Sequence, residues 1–453
     1  YMEKANRGSF TGKVGFVLAA AGSAVGLGNI WRFPYLAAKY GGGIFLLVYI
    51  ILALTLGFAL MTAEIAIGRK TGLSAIGAYG ALNRKFSFLG VLTAVIPVII
   101  LPYYSVIGGW VLKYLAVFLS GAETHAAQDG YFLGYVAQPY QPLLWFLLFI
   151  GITFVVVLLG VEKGVEKCSK IMMPFLVVLS IVIAIFVVCQ PGAMDGVAYY
   201  LNPDFSKFTP MTVLAAMGQL FYSMSLAMGI MVTYGSYMKK DVNLDHAVQQ
   251  IEIFDTGIAL IAGLMIVPAV YLFSGGDESA MQAGSGLMFI TLPKVFADMP
   301  YGTAIGAIFF LLVLFAALPS SISLMETVVS IIRDKTSLSR RKAAFLTLGV
   351  SVLLGIPSSL GFGLWSKIKP LGMSILDFFD FISNSILMPV VAFLTCIFVV
   401  WFVGLQSIED EIKLSSPFKR EKMFRVIIQY IAPVCIVLIL VSSVLNSLGV
   451  IKI

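Results

Sequence analysis

Long apolar runs recur along the whole chain, separated by short polar connections. Each run is about 20 or more residues long, the length that an α-helix needs to cross a hydrocarbon layer of roughly 30 Å. The pattern therefore predicts an all-α polytopic membrane protein with eleven transmembrane helices. The predicted spans are residues 13–38, 43–69, 88–120, 143–161, 167–190, 211–238, 245–274, 302–332, 343–360, 374–404 and 426–448.

The first span contains too many helix breakers for a simple membrane helix. Its segment 22–34 reads GSAVGLGNIWRFP, with three glycines, a proline, Asn29 and Arg32. Membrane proteins tolerate unwound backbone only where it is buried in protein or lines a wet cavity. The glycines alone also fit close helix packing, since Gly22 and Gly26 have GxxxG spacing. Packing needs no buried guanidinium, so the polar residues favour a binding site.

The sixth span is interrupted in the same way. Residues 218–237 read GQLFYSMSLAMGIMVTYGSY, where Ser223, Ser225 and Gly229 break an apolar helix. Spans one and six each open a group of five, an arrangement typical of inverted-repeat transporters. We predict a single transporter domain over 1–453, with a first repeat at 13–190, an inverted second repeat at 211–404 and an extra helix at 426–448.

Composition and charge agree with this class and exclude others. Hydrophobic residues make up 59% of the chain and charged residues 12%, against roughly 25% charged in soluble domains. The net charge of +7 lies in alternate connections, as the positive-inside rule requires of cytoplasmic loops. We therefore predict a cell-membrane location with a cytoplasmic N-terminus and an extracellular C-terminus, and no nucleic-acid partner.

Residues for enzymatic or thiolate chemistry are sparse. The four cysteines are scattered without a CxxC pair, and both histidines lie in or near connections. The first apolar run is longer than that of a cleavable signal peptide. A membrane-embedded hydrolase using Ser320 or Ser321 is an alternative, but no histidine or lysine lies at matching depth as a base. The sequence therefore predicts that the protein is not an enzyme.

Seven motifs resemble one transporter family over nearly the whole chain. They are GSAVGLGNIWRFP at 22–34, KYGGGIFL at 39–46, AEIAIGR at 63–69, LPYYSVIGGW at 101–110, GQLFYSMSLAMG at 218–229, MFITLP at 288–293 and the pair Ser320–Ser321. These residues resemble the neurotransmitter:sodium symporter family, in its shorter bacterial branch. The resemblance implies a leucine-transporter-type fold, with helices one and six unwound in mid-membrane, and uptake driven by a sodium gradient.

The resemblance also implies a substrate site. Relatives that carry monoamines have an aspartate at Gly26, so this chain is expected to take up hydrophobic amino acids, which bring their own carboxylate. The Leu27 and Gly28 amides and the Tyr104 hydroxyl would bind that carboxylate. Carbonyls of Ala24, Phe221 and Ser225 would bind the ammonium. The side-chain pocket would be formed by Ile100, Tyr104, Tyr222, Met228, Ser320 and Leu324.

Met228 stands where many relatives have phenylalanine, and a flexible methionine suits several hydrophobic substrates. Taken singly, Met228 and Tyr104 also fit ordinary packing roles in an apolar helix. The neighbouring family motif favours the binding role for both.

Two Na⁺ ions are implied as co-transported ligands, with no other cofactor. The first site would use Ala24, Asn29, Ser223 and Asp255, and the second Gly22, Val25, Ala316 and Ser320. Asp255 replaces the family's asparagine, and its charge predicts chloride independence; a water-facing carboxylate at a helix end is the alternative. Pro319 replaces a hydroxyl ligand and is expected to weaken the second site.

The resemblance further implies two gates. Arg32 and Asp380 would form the outer gate beneath which Tyr222 covers the substrate. The inner gate would pair Arg7 with Asp334, supported by Phe10, Ser236 and Tyr237.

The fifth span carries two helix breakers, Gly164 and Pro174, nine residues apart. This spacing predicts either a helix start that can unwind or a plain helix from Lys167 with a kink at the proline.

Three other functions remain open at this stage: an ion channel, an amino acid sensor and a proton-coupled carrier. The expected partners are a hydrophobic amino acid, Na⁺ and the lipid bilayer, with a monomer as the functional unit.

Overall fold

The computed structural model describes residues 8–277, 280–281, 284–447 and 449–451. Within these ranges the chain is helical, and the only β contact is a single bridge between Gly42 and Pro203. The membrane helices are α1 Lys13–Ala24, α2 Gly28–Lys39, α3 Gly43–Thr71, α4 Arg84–Leu119, α5 Gln141–Leu158, α6 Val161–Val188, α7 Pro210–Ser223, α8 Ile230–Ser236, α9 Leu244–Phe273, α10 Gly302–Lys335, α11 Arg340–Leu360, α12 Ile375–Ile412 and α13 Glu421–Ser447. Shorter helices in the connections are Ala75–Leu82, Glu123–Ala126, Tyr131–Val136, Ala193–Leu201 and Leu292–Asp298.

The all-α prediction is confirmed. In the described part of the chain, nine helices are long and apolar enough to cross a membrane, and the bent pair α1–α2 makes a tenth span. The predicted sixth span consists of two shorter helices, α7 and α8. The predicted end of the tenth span at residue 404 coincides with Gly404, whose φ of 86° and ψ of 131° interrupt the helical backbone of α12; the short polar helix Leu405–Ile412 follows directly. The division into two inverted repeats stays a prediction.

Helix α10 lies at the centre of the bundle. In its most apolar stretch 78% of the residues are buried, against 33% in α13, which faces outward. Helix α10 packs against α4, α6 and α1, while α8 packs against α3. The two helix breaks therefore lie inside the protein, where neighbouring helices can satisfy the freed backbone groups.

Buried ion pairs join helices that are distant in sequence. They lie at the helix ends that the predicted topology places in the cytoplasm. Arg69 of α3 is fully buried and contacts the Glu411 carboxylate of α12 at 2.9 Å and the Val242 carbonyl at 2.8 Å. Arg420 bonds both Asp245 and Glu252 of α9 at 3.0 Å. Breaking one partner of such a buried pair leaves an uncompensated charge, so these contacts hold the helix ends together.

Candidate substrate and ion site

The first break lies between α1 and α2, which meet at an angle of 54°. Val25 leaves the helix with an extended backbone (φ −72°, ψ 103°). The Gly26 N–H donates to the Asn29 side-chain oxygen at 3.0 Å, so the polar side chain stabilises the unwound turn. Carbonyls at the end of α1 are thereby released from helical hydrogen bonding.

The second break separates α7 from α8. Ser225 and Ala227 have positive φ values of 53° and 60°, which L-residues adopt only when their surroundings impose it. The Ala227 N–H donates to the buried Glu64 carboxylate at 2.7 Å. Glu64 therefore braces the unwound backbone from α3.

The structure brings together three of the four predicted residues of the first sodium site, Asn29, Ser223 and Asp255. Asp255 is fully buried and accepts hydrogen bonds from the Asn29 amide at 2.8 Å and from the Ser223 hydroxyl at 2.8 Å. The Tyr49 hydroxyl adds a third donor at 3.3 Å. Tyr49 was missed, because one tyrosine in an apolar helix carries no local signal. Asp255 is not a water-facing residue at a helix end.

Around Ser320 the predicted second sodium site also converges. Its hydroxyl oxygen lies 3.3 Å from the Gly22 carbonyl, 3.4 Å from that of Val25 and 3.3 Å from that of Ala316. The Ser23 carbonyl, which the sequence did not point to, is nearest at 3.1 Å. One hydroxyl proton serves one acceptor at a time, so several oxygens remain available to a hard cation such as Na⁺.

A cavity of about 40 Å³ lies at the junction of the two breaks. All the predicted substrate residues line it except Phe221, which lines a larger outer cavity. The lining residues are Ser23, Ala24, Gly26, Leu27, Gly28, Asn29, Ile100, Tyr103, Tyr104, Tyr222, Ser225, Met228, Ile230, Ser320, Leu324 and Asn384. Among the described residues no charged side chain lines this cavity.

Two glycines make room for the cavity. A Cβ at Gly26 would lie 3.0 Å from the Ser320 hydroxyl and 3.2 Å from that of Tyr104. A Cβ at Gly28 would overlap the Tyr222 ring at 2.4 Å. The Tyr104 hydroxyl is buried and has no hydrogen-bond partner within the described ranges, so it can donate to a group in the cavity.

On the predicted extracellular side lies an outer cavity of about 600 Å³, bordered by Arg32, Tyr222 and Asp380. The Arg32 guanidinium lies over the Tyr222 ring at 5.5 Å. No ion pair joins Arg32 to Asp380 in the part of the chain that the structure describes, so the predicted gate pair is not formed in this conformation and stays a prediction. Asp380 instead accepts from the Tyr103 hydroxyl at 3.1 Å and the Asn384 amide at 2.5 Å.

The opposite side is closed by aromatic packing. Phe10 is buried, its ring contacts Phe16, Tyr234 and Tyr237, and its N–H donates to the Tyr237 carbonyl at 3.2 Å. The Tyr237 hydroxyl donates to the Glu326 carboxylate at 2.8 Å.

Other predicted inner-gate residues lie nearby. Asp334 accepts from the Ser74 amide at 2.8 Å and hydroxyl at 2.6 Å. Its predicted partner Arg7 lies outside the described residues. Ser236 donates to the Thr233 carbonyl of its own helix at 2.6 Å.

The start of α6 is helical in this structure. Residues Val161–Glu166 form one wide turn that leads directly into an α-helix from Lys167, with Pro174 inside it. The buried Glu166 carboxylate accepts from the Thr11 amide at 2.9 Å and from Lys170 at 2.6 Å, and it also contacts the Thr11 hydroxyl. The plain-helix interpretation describes this conformation.

Neither serine of the hydrolase alternative has a catalytic environment. The Ser320 hydroxyl faces backbone carbonyls, and the Ser321 hydroxyl pairs with that of Thr153 at 2.9 Å. In the described segments neither is hydrogen-bonded to a histidine, lysine or carboxylate.

Comparison with known proteins identifies the family. The model of the sodium:neurotransmitter symporter family matches residues 7–126 and 137–450. Over 447 residues the chain is 34% identical to the uncharacterized sodium-dependent transporter YhdH of Bacillus subtilis, covering 97% of each chain. A sodium-dependent transporter of Haemophilus influenzae, also uncharacterized, is 34% identical over 453 residues, covering 96% of this chain and 98% of the relative.

Among solved structures, the crystal structure of MhsT in complex with L-phenylalanine matches with a TM-score of 0.87 and 37% identity. The match covers 97% of this chain and 100% of MhsT. The chain therefore belongs to the sodium:neurotransmitter symporter family and is a multi-pass, sodium-coupled membrane transporter.

Proposed function

We propose that this protein takes up hydrophobic L-amino acids, of the tryptophan, leucine, phenylalanine, tyrosine, isoleucine, valine and methionine type, together with Na⁺. The observation that carries the proposal is the cavity at the two helix breaks, whose described lining combines backbone groups, hydroxyls and apolar side chains without a charged side chain. A zwitterion suits such a lining, because backbone dipoles and a bound cation can balance its two charges. A monoamine would leave its ammonium without a carboxylate.

The carboxylate end of the substrate would lie beside the unwound backbone at Leu27 and Gly28. The Tyr104 hydroxyl supports this orientation, since it lies beside Gly26 and is buried without a hydrogen-bond partner among the described residues. The apolar end would contact Ile100, Met228 and Leu324. MhsT, whose crystal structure contains L-phenylalanine, supports an aromatic or aliphatic amino acid as the substrate.

Coupling would arise from the first ion site. We assign Na⁺ there to the Ala24 carbonyl, Asn29, Ser223 and Asp255, completed by the substrate carboxylate. A shared ligand makes the binding of ion and substrate mutually favourable. The fixed charge of Asp255 supplies the negative charge at the site, so transport is expected to proceed without chloride.

The second ion would bind near Ser320, where the carbonyls of Gly22, Val25 and Ala316 converge. Pro319 offers no hydroxyl, so this site relies on a single side-chain ligand. Together the two sites give a proposed stoichiometry of two Na⁺ per amino acid.

The direct test is uptake of radiolabelled tryptophan or leucine into proteoliposomes with an imposed Na⁺ gradient and gluconate in place of chloride. We expect accumulation above the equilibrium level, lost when an ionophore removes the gradient; protein-free liposomes are the control. Accumulation that is indifferent to Na⁺ would overturn the proposal.

A proton-coupled carrier is the second candidate, favoured by the buried Asp255 carboxylate and by Pro319. The same proteoliposomes separate the two, because a proton gradient imposed without Na⁺ drives uptake only in the second case.

A further inference from the structure

Two side chains border both cavities and were given no role by the sequence. Tyr103 of α4 and Asn384 of α12 line the small cavity at the helix breaks and also the outer cavity above it. They therefore lie between the proposed substrate and the proposed outer gate.

Tyr103 and Asn384 form a closed triangle with the Asp380 carboxylate. The Asn384 amide donates to Asp380 at 2.5 Å and to the Tyr103 hydroxyl oxygen at 3.0 Å, and that hydroxyl donates to the same carboxylate oxygen at 3.1 Å. Hydrogen bonds to an ionised acceptor are about twice as strong as neutral ones. The triangle thus fixes the position of the carboxylate.

In this position the Asp380 carboxylate is not paired with Arg32. The Arg32 guanidinium lies on the Tyr222 ring, and within the described residues it makes no ion pair. Arg32 and Asp380 both border the outer cavity, so an ion pair between them would narrow the inner end of that cavity. The carboxylate can reach Arg32 only by leaving the triangle or by moving with it.

The backbone around the triangle is irregular. Asp380 ends an α-helical turn, and Phe381–Leu387, which includes Asn384, is a wide helical turn. Wide turns of this kind inside α-helices occur frequently at functional sites. A change at this turn would displace the Asn384 amide relative to the Asp380 carboxylate.

We propose that Asn384, assisted by Tyr103, is a positioning residue that holds Asp380 away from Arg32 and so keeps the outer cavity open until the substrate is bound below. The proposal rests on the proposed transport function and on the outer gate that the family resemblance implies for Arg32 and Asp380. A substrate in the small cavity would influence the gate through Tyr103 and Asn384, since both line that cavity and both bond Asp380.

The test uses a thiol reporter in the outer cavity. Ser443 borders that cavity and is replaced by cysteine in a background where Cys168, Cys189, Cys396 and Cys435 are alanine. Labelling by a membrane-impermeant thiol reagent is timed in reconstituted protein without substrate. Asn384→Ala should slow labelling about tenfold or more, because it removes the charge-assisted hydrogen bond to the Asp380 carboxylate.

The matched control is Ser385→Ala in the same wide turn. Ser385 also borders the outer cavity, and within the described residues its side chain has no hydrogen bond to Tyr103, Asp380 or Asn384. This variant should label at the parent rate. Tyr103→Phe, which keeps the ring volume, should also slow labelling, but less than Asn384→Ala. If Asn384→Ala does not fold, Tyr103→Phe alone tests the proposal.

A double-mutant cycle separates positioning from a general structural effect. In an Asp380→Asn background, Asn384→Ala should change the labelling rate no further. Equal slowing in both backgrounds, or unchanged labelling in Asn384→Ala and Tyr103→Phe, would overturn the proposal. Labelling requires no transport, so failure of the proposed substrate would leave this readout intact.

Discussion

At the residue scale, the site depends on a few positions where adding a side-chain atom or removing a charge would change what can bind. Gly26 leaves space between two hydroxyls, and Asp255 places a carboxylate where three side chains donate to it. Both positions were identified from the sequence through the family resemblance. Their surroundings, including Tyr49, became visible only in the folded chain.

Gly26→Asp should abolish amino acid uptake. Its Cβ would lie 3.0 Å from the Ser320 hydroxyl, and its carboxylate would meet the carboxylate of the substrate. Like charges in contact cost several kcal/mol, so affinity for leucine should fall by at least about 100-fold. Equilibrium binding of radiolabelled leucine measures this. Gly151→Ala, where a Cβ has open space, is the control and should bind normally; normal binding by Gly26→Asp would contradict the site.

Asp255→Asn should make transport require chloride or abolish it. The substitution keeps the size and shape of the side chain, removes the negative charge beside Asn29 and Ser223, and replaces one acceptor oxygen with an amide donor. Uptake is compared in chloride and in gluconate, with Asp377→Asn, an acidic residue bordering the outer cavity, as the control. Chloride-free uptake at the parent rate would refute the assigned role of Asp255.

At the element scale, the important features are the irregular ones: two helix breaks and the wide turns in α6 and α12. Two of them are linked to other parts of the chain by a buried carboxylate. Glu64 braces the break before α8, and Glu166 at the start of α6 binds the segment that precedes α1. These contacts fix the irregular segments against neighbouring helices.

Glu166→Ala should loosen the segment that precedes α1. The change removes the acceptor of the Thr11 amide and leaves Lys170 without its buried partner. Hydrogen exchange at the Thr11 amide should become about tenfold faster, as local opening becomes easier. Mass spectrometry of the corresponding peptide measures this exchange.

Glu162→Ala is the matched control, because Glu162 is exposed in the same wide turn of α6. Its exchange should equal that of the parent. Identical exchange in the Glu166 and Glu162 variants would show that the Thr11 contact does not hold the segment.

At the scale of the whole molecule, the predicted cytoplasmic ends of the helices are tied by ion pairs while the outer side contains a large cavity. Arg69, Glu411 and Lys240 form one cluster, with Lys240 contacting Glu411 at 2.7 Å. Because one side is held by ion pairs and the other contains the cavity, the protein is in a conformation open towards the predicted extracellular side.

Glu411→Ala should destabilise the whole protein. It leaves the fully buried Arg69 without its carboxylate, a loss of about 3–5 kcal/mol for a buried pair. Thermal unfolding in detergent should shift downward by about 3 °C or more. Asp410→Ala is the control, since Asp410 is exposed and bonds only Gln406 among the described residues. Equal thermal unfolding midpoints for the two variants would contradict the stabilising role of the Arg69–Glu411 ion pair.

Much of this architecture follows from local properties of the sequence. Hydropathy is a property of neighbouring residues, so it predicted the helical class and most helix positions to within a few residues. The breakers in 22–34 and 218–237 predicted both unwound segments, because glycine, serine and proline act on their own backbone. The motifs then indicated the family.

The tertiary structure decided which atoms meet. Ser320 approaches the Ser23 carbonyl across 297 positions of sequence, and Asn29 reaches Asp255 across 226. The direction of a carbonyl and the partner of a carboxylate depend on how separate helices pack, which no local pattern specifies. For that reason the sequence determined where the chain breaks and what chemistry lies there. Only the fold decided that Asp380 is held by Asn384 and Tyr103 and not by Arg32.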